Sequence, residues 1–245
     1  MRVNGLRGKR LYTWRYRHAD WERRRNTLRF LLRNIGFTLL AKLEKVEGLE
    51  NLPAQGPAIL MINHIAFIDP IVVLHVVPRN IVPLAKIEVY KYPLVGIFPH
   101  LWGVIPVRRE EFDRRAVQQV LEVLRAGEIV LVAPEGTRGP HLSQGKEGVA
   151  YLANRSGVPV IPVAIEGTAS FPALRFFSAA WRNPGAHVRF GRPFRYRSGL
   201  GRPDRDLLRK MTDEAMYLLA EMLPEKRRGV YSDLSKATRD TIEWV

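Results

Sequence analysis

The spacing of apolar residues along this chain changes abruptly near residue 50. Residues 21–45 carry Leu28, Leu31, Leu32, Ile35, Leu39 and Leu43 at three- and four-residue steps, the period of one helix face. Arg24, Arg25, Arg29 and Arg33 flank that stripe, and Trp21 stands at its head. A basic amphipathic helix of this kind suits either the plane of an anionic bilayer or a protein core with a solvated basic face. Gly48 and Pro53 break the chain. After them, continuous apolar runs at 58–62, 81–85, 103–107, 129–133 and 158–165 read as strands, the longer ones covered on both faces. Helices fall between them: 70–77, with Pro70 at an early position; 92–98; a helix capped by Asp113 and running through Val117, Val120, Leu121 and Leu124 to Gly127; and 146–155, ending near Gly157. Residues 187–190 read as an edge strand, 205–223 as a last amphipathic helix and the remainder as a polar tail. This alternation predicts an α/β fold: a single-domain sandwich of a largely parallel or mixed sheet covered by helices, with an N-terminal amphipathic helical segment.

One apolar run is interrupted by polar chemistry. Residues 58–77 are about long enough to cross a bilayer. They also hold Asn63, His64, Asp69, Pro70 and His75, which are expensive in lipid, so the run reads as buried strand, turn and buried helix. A carboxylate beside an imidazole fixes its tautomer and stabilises the imidazolium formed when a hydroxyl proton is taken, which makes His64 and Asp69 a candidate base and its orienter. The same couple is also a way to satisfy a core histidine. Active sites of open α/β sheets gather where strands end, and other polar groups fall at such ends. Lys86 closes the second strand, Arg108 and Arg109 follow the third, and Pro134-Glu135-Gly136-Thr137-Arg138 follows 129–133. Arginine suits bidentate phosphate recognition and lysine supplies a point charge. Gly136 lets backbone N–H groups approach an anion, and the Thr137 hydroxyl can donate. Singly, each is also an ordinary solvated pair, turn or strand-end charge. Together they suggest hydroxyl activation on a phosphorylated acceptor.

Composition narrows the classes. At 245 residues and 46% apolar content the chain suits one large folded domain. The absence of cysteine excludes disulfides, thiolate nucleophiles and Cys-ligated metals. The basic stretch 1–10 is not followed by the apolar core of a signal peptide, so a cytoplasmic location is expected. A net charge of +15, dense in 2–33 and 182–209, calls for an anionic partner: nucleic acid, a membrane surface or a phosphorylated substrate. Simple solubility is the rival account of that charge. Tyr12, Trp14 and Tyr16 punctuate the basic start.

The order of the motifs resembles the glycerolipid acyltransferase family, in particular its 1-acyl-sn-glycerol-3-phosphate (lysophosphatidic acid) acyltransferases. The family's NHxxxxD matches Asn63, His64 and Asp69. Its strand-end lysine, short Pro–Gly helix and G-x-[IF]-P-V-x-R match Lys86, Pro93, Gly96 and the run from Gly103 to Arg109. PEGTR matches Pro134 to Arg138, and the proline strand matches residues 158–163, preceded by Lys146 and Gly148. The resemblance covers about residues 45–195. Ala66, Arg108 and Gly139 depart from residues the family often has, serine, aspartate and serine, which bears on acceptor identity. The resemblance implies three regions: a basic membrane-docking segment 1–45, an acyltransferase domain 46–225 and a polar tail 226–245. It implies that His64 takes the proton of the acceptor's sn-2 hydroxyl and that Asp69 orients His64. Lys86, Arg109 and Arg138 would hold the glycerol phosphate in a pocket shaped by Glu135, Gly136 and Thr137, and an apolar tunnel would take the acyl chain. The donor would be acyl-CoA or acyl-carrier protein as co-substrate, with no cofactor and no metal. The partners would be a lysophospholipid and an anionic membrane at its cytoplasmic face, bound peripherally or monotopically, without nucleic acid. Three rivals stand beside this reading: another acceptor such as glycerol-3-phosphate or a different lysolipid, a basic nucleic-acid-binding protein, and an inactive membrane adaptor. The second lacks a recognition motif, and the third predicts a lost His–Asp pair.

Overall fold

The computed structural model describes residues 19–93, 96–108 and 112–245. The basic, aromatic stretch 1–18 and Arg109 lie outside the described residues. Helix α1 (Ala19–Leu31) runs through a π turn (Leu32–Gly36) into the short α2 (Phe37–Leu40). Strand β1 (Leu43–Glu47) follows. The chain then alternates β2 (Ala58–Ile62), α3 (Asp69–Val76), β3 (Ile81–Lys86), α4 (Ile97–Trp102), β4 (Ile105–Val107), α5 (Arg114–Arg125), β5 (Ile129–Val132), α6 (Gly148–Ser156) and β6 (Val160–Glu166). It ends with β7 (Ala186–Phe190), β8 (Phe194–Tyr196), α7 (Arg205–Glu221) and β9 (Ile242–Trp244). The strands form one mixed nine-stranded sheet in the order β1-β7-β6-β2-β5-β3-β4, with β8 pairing β6 and β9. β2 pairs parallel with both β5 and β6, and β3 pairs parallel with β5 and β4. All five therefore deliver their carboxyl ends to one edge. β7 runs antiparallel to β6.

Alternation within β2 divides the core. Ile59 and Met61 face one side with Val120, Val123 and Leu124 of α5 and Met216 and Leu219 of α7. Leu60 and Ile62 face the other with Val72 and Val73 of α3 and Trp102 of α4. Every residue of β2 is buried, as a strand covered on both faces requires. α5 starts where Asp113 accepts from the backbone N–H groups of Arg115 and Ala116, a cap worth about 1 kcal/mol.

Four local expectations need correction. The helix read over 21–45 ends at Leu40. Ala41 turns extended, and Leu43–Glu47 pairs parallel with β7, so sheet pairing overrides the helical spacing of Leu39 and Leu43. That hidden strand also explains why 187–190 looked like an edge: β7 lies between β6 and β1. The helix read at 92–98 falls later, at α4, because Pro93 holds Tyr92 extended (φ −72°, ψ 130°) after a 3-10 turn at Ile87–Lys91. The polar tail is built into the sheet through β9. Buried Glu214 on α7 accepts from the Thr238 hydroxyl, the Asp240 N–H and both donors of Thr241, which anchors the tail to the helix.

The N-terminal helices divide their apolar positions. Leu28 and Leu32 pack on the core and Phe37 is buried, whereas Phe30, Leu31, Ile35 and Leu39 face outward. Trp21 packs against Gly103. Arg25, fully buried, donates through Nε to the carbonyl of Trp102 (2.8 Å) and through Nη2 to that of Gly103 (3.0 Å). A cation on the free carbonyls at the end of α4 is favoured by the helix dipole. Among the described residues, no helix is long and apolar enough to cross a membrane.

Candidate active site

The site forms where β2 ends. Asn63 fastens that end to its neighbour: its Nδ2 donates to the Ile165 carbonyl (2.9 Å) and its Oδ1 accepts from the Ile165 N–H (2.7 Å), so the side-chain amide acts as a surrogate peptide for β6. His64 is the next residue. Its Nδ1 lies 2.9 Å from Asp69 Oδ2, and its side chain keeps 16% exposure while that of Asp69 keeps none. The same Oδ2 accepts from the N–H groups of Ile65 (2.6 Å) and Ala66 (2.8 Å), so the turn between the two residues holds the carboxylate in place. Asp69 opens α3, where the helix dipole favours a negative charge. Asp69 Oδ1 is buried and finds no partner among the described residues. With Nδ1 bound to a carboxylate, the Nδ1–H tautomer is favoured and Nε2 is the nitrogen left to accept a proton.

The Pro134–Arg138 turn is laced to this histidine. Glu135 Oε1 accepts from the His64 N–H (3.2 Å), and Oε2 accepts from both the N–H (2.8 Å) and the hydroxyl (3.1 Å) of Ser143. On the other side, the Gly139 N–H donates to the His64 carbonyl (2.9 Å). Burial pushes the Glu135 carboxyl above its ordinary range, against these hydrogen bonds and the nearby His64, which pull it down. Glu135 is 4% exposed and fully engaged, so its direct effect is on the placement of the His64 backbone. Gly136 takes a left-handed conformation (φ 68°) and its N–H donates to Ala133; Thr137 and Arg138 project into solvent. Lys86 lies at the end of β3 on the same sheet edge, separated from β2 by β5, and 3.8 Å from Glu88. Its register partner is Val107, two residues before Arg109.

Three nearby residues were not among the sequence candidates for the site. Ser143 closes the Glu135 latch. Lys146 lies over the turn, its Nζ 3.5 Å from where a Gly136 side chain would begin, which adds a cation at the turn. The K-x-G pattern at Lys146 and Gly148 was a signal for it. Arg227, from the tail, donates to the Pro140 carbonyl (2.7 Å) and lines a narrow cleft with His64, Glu135 and Leu142. Nothing in the local sequence around Arg227 signals that approach. Elsewhere, a hollow of about 410 Å³ between the Ile87–Lys91 turn and α4 is walled by Tyr90, Tyr92, Pro93, Ile97 and His100. Chemically, the edge offers an oriented imidazole, a proton acceptor, with the cations Lys86, Arg138 and Lys146 borne on the same edge or on the turn beside it.

Comparison with known proteins fits this geometry. The chain is 34% identical over 130 residues to a 1-acyl-sn-glycerol-3-phosphate acyltransferase of Borreliella burgdorferi, covering 51% of this chain and 52% of that one. It is 30% identical over 127 residues to the Bacillus subtilis protein of the same name, covering 51% and 64%. The chain thus spans about half the length of the first of these relatives and under two thirds of the second. The crystal structure of the 1-acyl-sn-glycerophosphate (LPA) acyltransferase PlsC from Thermotoga maritima superposes with a TM-score of 0.56 at 25% identity, covering 84% of this chain and 82% of that one. The model of the family described as Acyltransferase matches residues 44–166, the half of the chain that carries β1 to β6 and both ends of the His64 turn, and the chain belongs to that family.

Proposed function

We propose that the protein transfers a fatty acyl group to the sn-2 hydroxyl of 1-acyl-glycerol-3-phosphate, giving phosphatidic acid for phospholipid synthesis. The observation that carries this reading is the His64 Nδ1–Asp69 Oδ2 contact of 2.9 Å at the edge where the Pro134–Arg138 turn is hydrogen-bonded to His64. His64 Nε2 accepts the hydroxyl proton while the substrate oxygen attacks the thioester carbonyl carbon. Asp69 stabilises the imidazolium. The tetrahedral intermediate breaks its C–S bond, and the departing thiolate takes the proton from His64. The products are the diacyl phosphate and a free thiol. No protein nucleophile is required, and the chain has no cysteine.

Lys86, Arg109 and Arg138 bind the phosphate of the acceptor in this scheme, with Gly136 and Thr137 shaping the turn that receives it and Glu135 holding that turn against His64. The donor is acyl-CoA or acyl-carrier protein. The acceptor is a membrane lipid, so the protein works at the cytoplasmic face of the cell membrane, docked by the outward residues Phe30, Leu31, Ile35 and Leu39 and the basic residues around them. The test is acyl transfer by the purified chain from each thioester to 1-acyl-glycerol-3-phosphate, glycerol-3-phosphate and uncharged or zwitterionic lysolipids, with products identified by mass. Phosphatidic acid is the expected main product. Exclusive transfer to another acceptor would overturn the substrate, and no transfer from either donor would overturn the activity.

A further inference from the structure

A second apolar element sits beside the N-terminal helices. The loop after β6 exposes Leu174 (57%), Phe176 (77%) and Phe177 (86%) in succession around Arg175. These side chains are held outward by a built scaffold. Phe171 is buried against Trp181, Trp181 Nε1 donates to the Ala173 carbonyl (3.1 Å), and the Arg175 guanidinium lies 5.4 Å from the Trp181 ring centre. The loop backbone is tied to α2: the N–H groups of Ala173 and Arg175 donate to the carbonyls of Leu40 (3.0 Å) and Leu39 (3.1 Å). Leu39 and Leu40 are themselves more than a third exposed. Outward residues of two segments far apart in sequence therefore adjoin, and apolar exposure of this kind marks an interaction surface.

We propose that the loop over residues 171–178 is a second bilayer-contacting element, forming with Ile35, Leu39 and Leu40 a single docking face for an anionic lipid surface. The charge pattern selects the occupant. Neither residues 23–43 nor residues 167–203 contain an aspartate or glutamate, and Arg33, Arg175 and Arg182 are exposed around the apolar residues. A second copy packed face to face would set these arginines against themselves across a two-fold axis. Anionic headgroups neutralise them while phenylalanine and leucine enter the acyl boundary. The placement also serves the site. The loop leaves the carboxyl end of β6, where Val163 is in register with Ile62, two residues before His64. A bilayer held at this loop meets the sheet edge that carries His64. The inference rests on the reading of the acceptor as a membrane lipid, and it deepens that reading.

The test is flotation of the full chain with vesicles of equal phosphatidylglycerol and phosphatidylcholine, and with phosphatidylcholine alone. Substituting F176S and F177S together should lower partitioning onto the anionic vesicles by about tenfold or more. The thermal midpoint should not move, because both side chains are solvent-facing already. The F176W/F177W pair should retain binding, and Val230→Ser, exposed elsewhere, should leave it unchanged. Transfer to a bilayer-held acceptor should fall in the double serine variant while transfer to a dispersed short-chain acceptor persists. Unchanged vesicle binding by the double serine variant would overturn the proposal. So would conversion of a wild-type dimer to monomer by that variant, which would assign the face to a second copy. Vesicle binding is read without catalysis, so a chain that floats through this loop but transfers no acyl group would refute the proposed activity and leave the docking face standing.

Discussion

At the scale of single residues, the site is a set of backbone placements around one imidazole. Asn63 fixes the strand end, Asp69 fixes the ring, and Glu135 and Gly139 fix the peptide on either side of His64. Asp69→Asn keeps the volume and an acceptor for the Ile65 and Ala66 N–H groups, but removes the charge that stabilises the imidazolium. Turnover should fall by about 100-fold or more, with acceptor KM little changed, as read by steady-state kinetics on folded protein. Glu135→Gln places an N–H donor among the three donors that the carboxylate accepts from. It should cost about 1–3 kcal/mol in denaturant unfolding, against about 1 kcal/mol for Ser143→Ala. A coupling energy near zero between the two substitutions would contradict the latch. Linkage adds a sign. The Glu135 carboxyl is raised by burial, so the folded state holds its proton more tightly than the unfolded one, and this group's contribution to stability declines as pH rises through its folded value. Glu135→Gln should abolish that component.

At the scale of elements, α1 is keyed to the end of α4. Gly103 has φ 70°, and a Cβ there would lie 2.4 Å from the Trp21 ring. Gly103→Ala should therefore lose about 1–2 kcal/mol from the left-handed backbone, with overpacking in addition, and lower the thermal midpoint. Retention of the wild-type midpoint would show that α1 does not dock as described. His75 on α3 stacks on Phe37 of α2 at 3.9 Å, and its Nδ1 is buried with no hydrogen-bond partner among the described residues. Burial, and then Arg33, push its imidazole below the ordinary 6.5. The unfolded chain binds that proton first, so stability is lost as pH falls through 6.5 toward the lowered folded value. His75→Phe should flatten unfolding free energy over that window, and an unaltered pH profile would contradict the assignment.

These elements also show what the sequence could reveal. The runs at 58–62 and 129–133, the Asp113 cap and the helix near Gly157 were legible because each carries its own period, cap or breaker. β1 was not, because its leucine falls on the helical stripe that precedes it and only pairing with β7 makes it a strand. At the site, the placement of His64 beside Asp69 and of the turn after β5 followed from their positions at strand ends. Lys146 was signalled only by the K-x-G pattern it shares with Gly148, whereas Ser143 and Arg227 reach the site through folding of the loop and tail, and spacing along the chain does not encode those two contacts.

At the scale of the whole molecule, the sheet gathers the carboxyl ends of β2 to β6 at one edge, and three features meet along that edge. It orients an imidazole, it carries Lys86 and the Pro134–Arg138 turn with Lys146 over Gly136, and it issues the loop that meets the outward residues of α2. A net charge of +15 draws the molecule toward anionic surfaces, with an attraction that salt screens within about 10 Å. The account stands or falls on the proton taken by His64. The measurement is acyl transfer by His64→Ala against wild type, with purified proteins matched for thermal midpoint and vesicle binding. Turnover roughly 100- to 10,000-fold below wild type is expected, with both controls unchanged. A folded, vesicle-binding His64→Ala protein that turns over at the wild-type rate would contradict it.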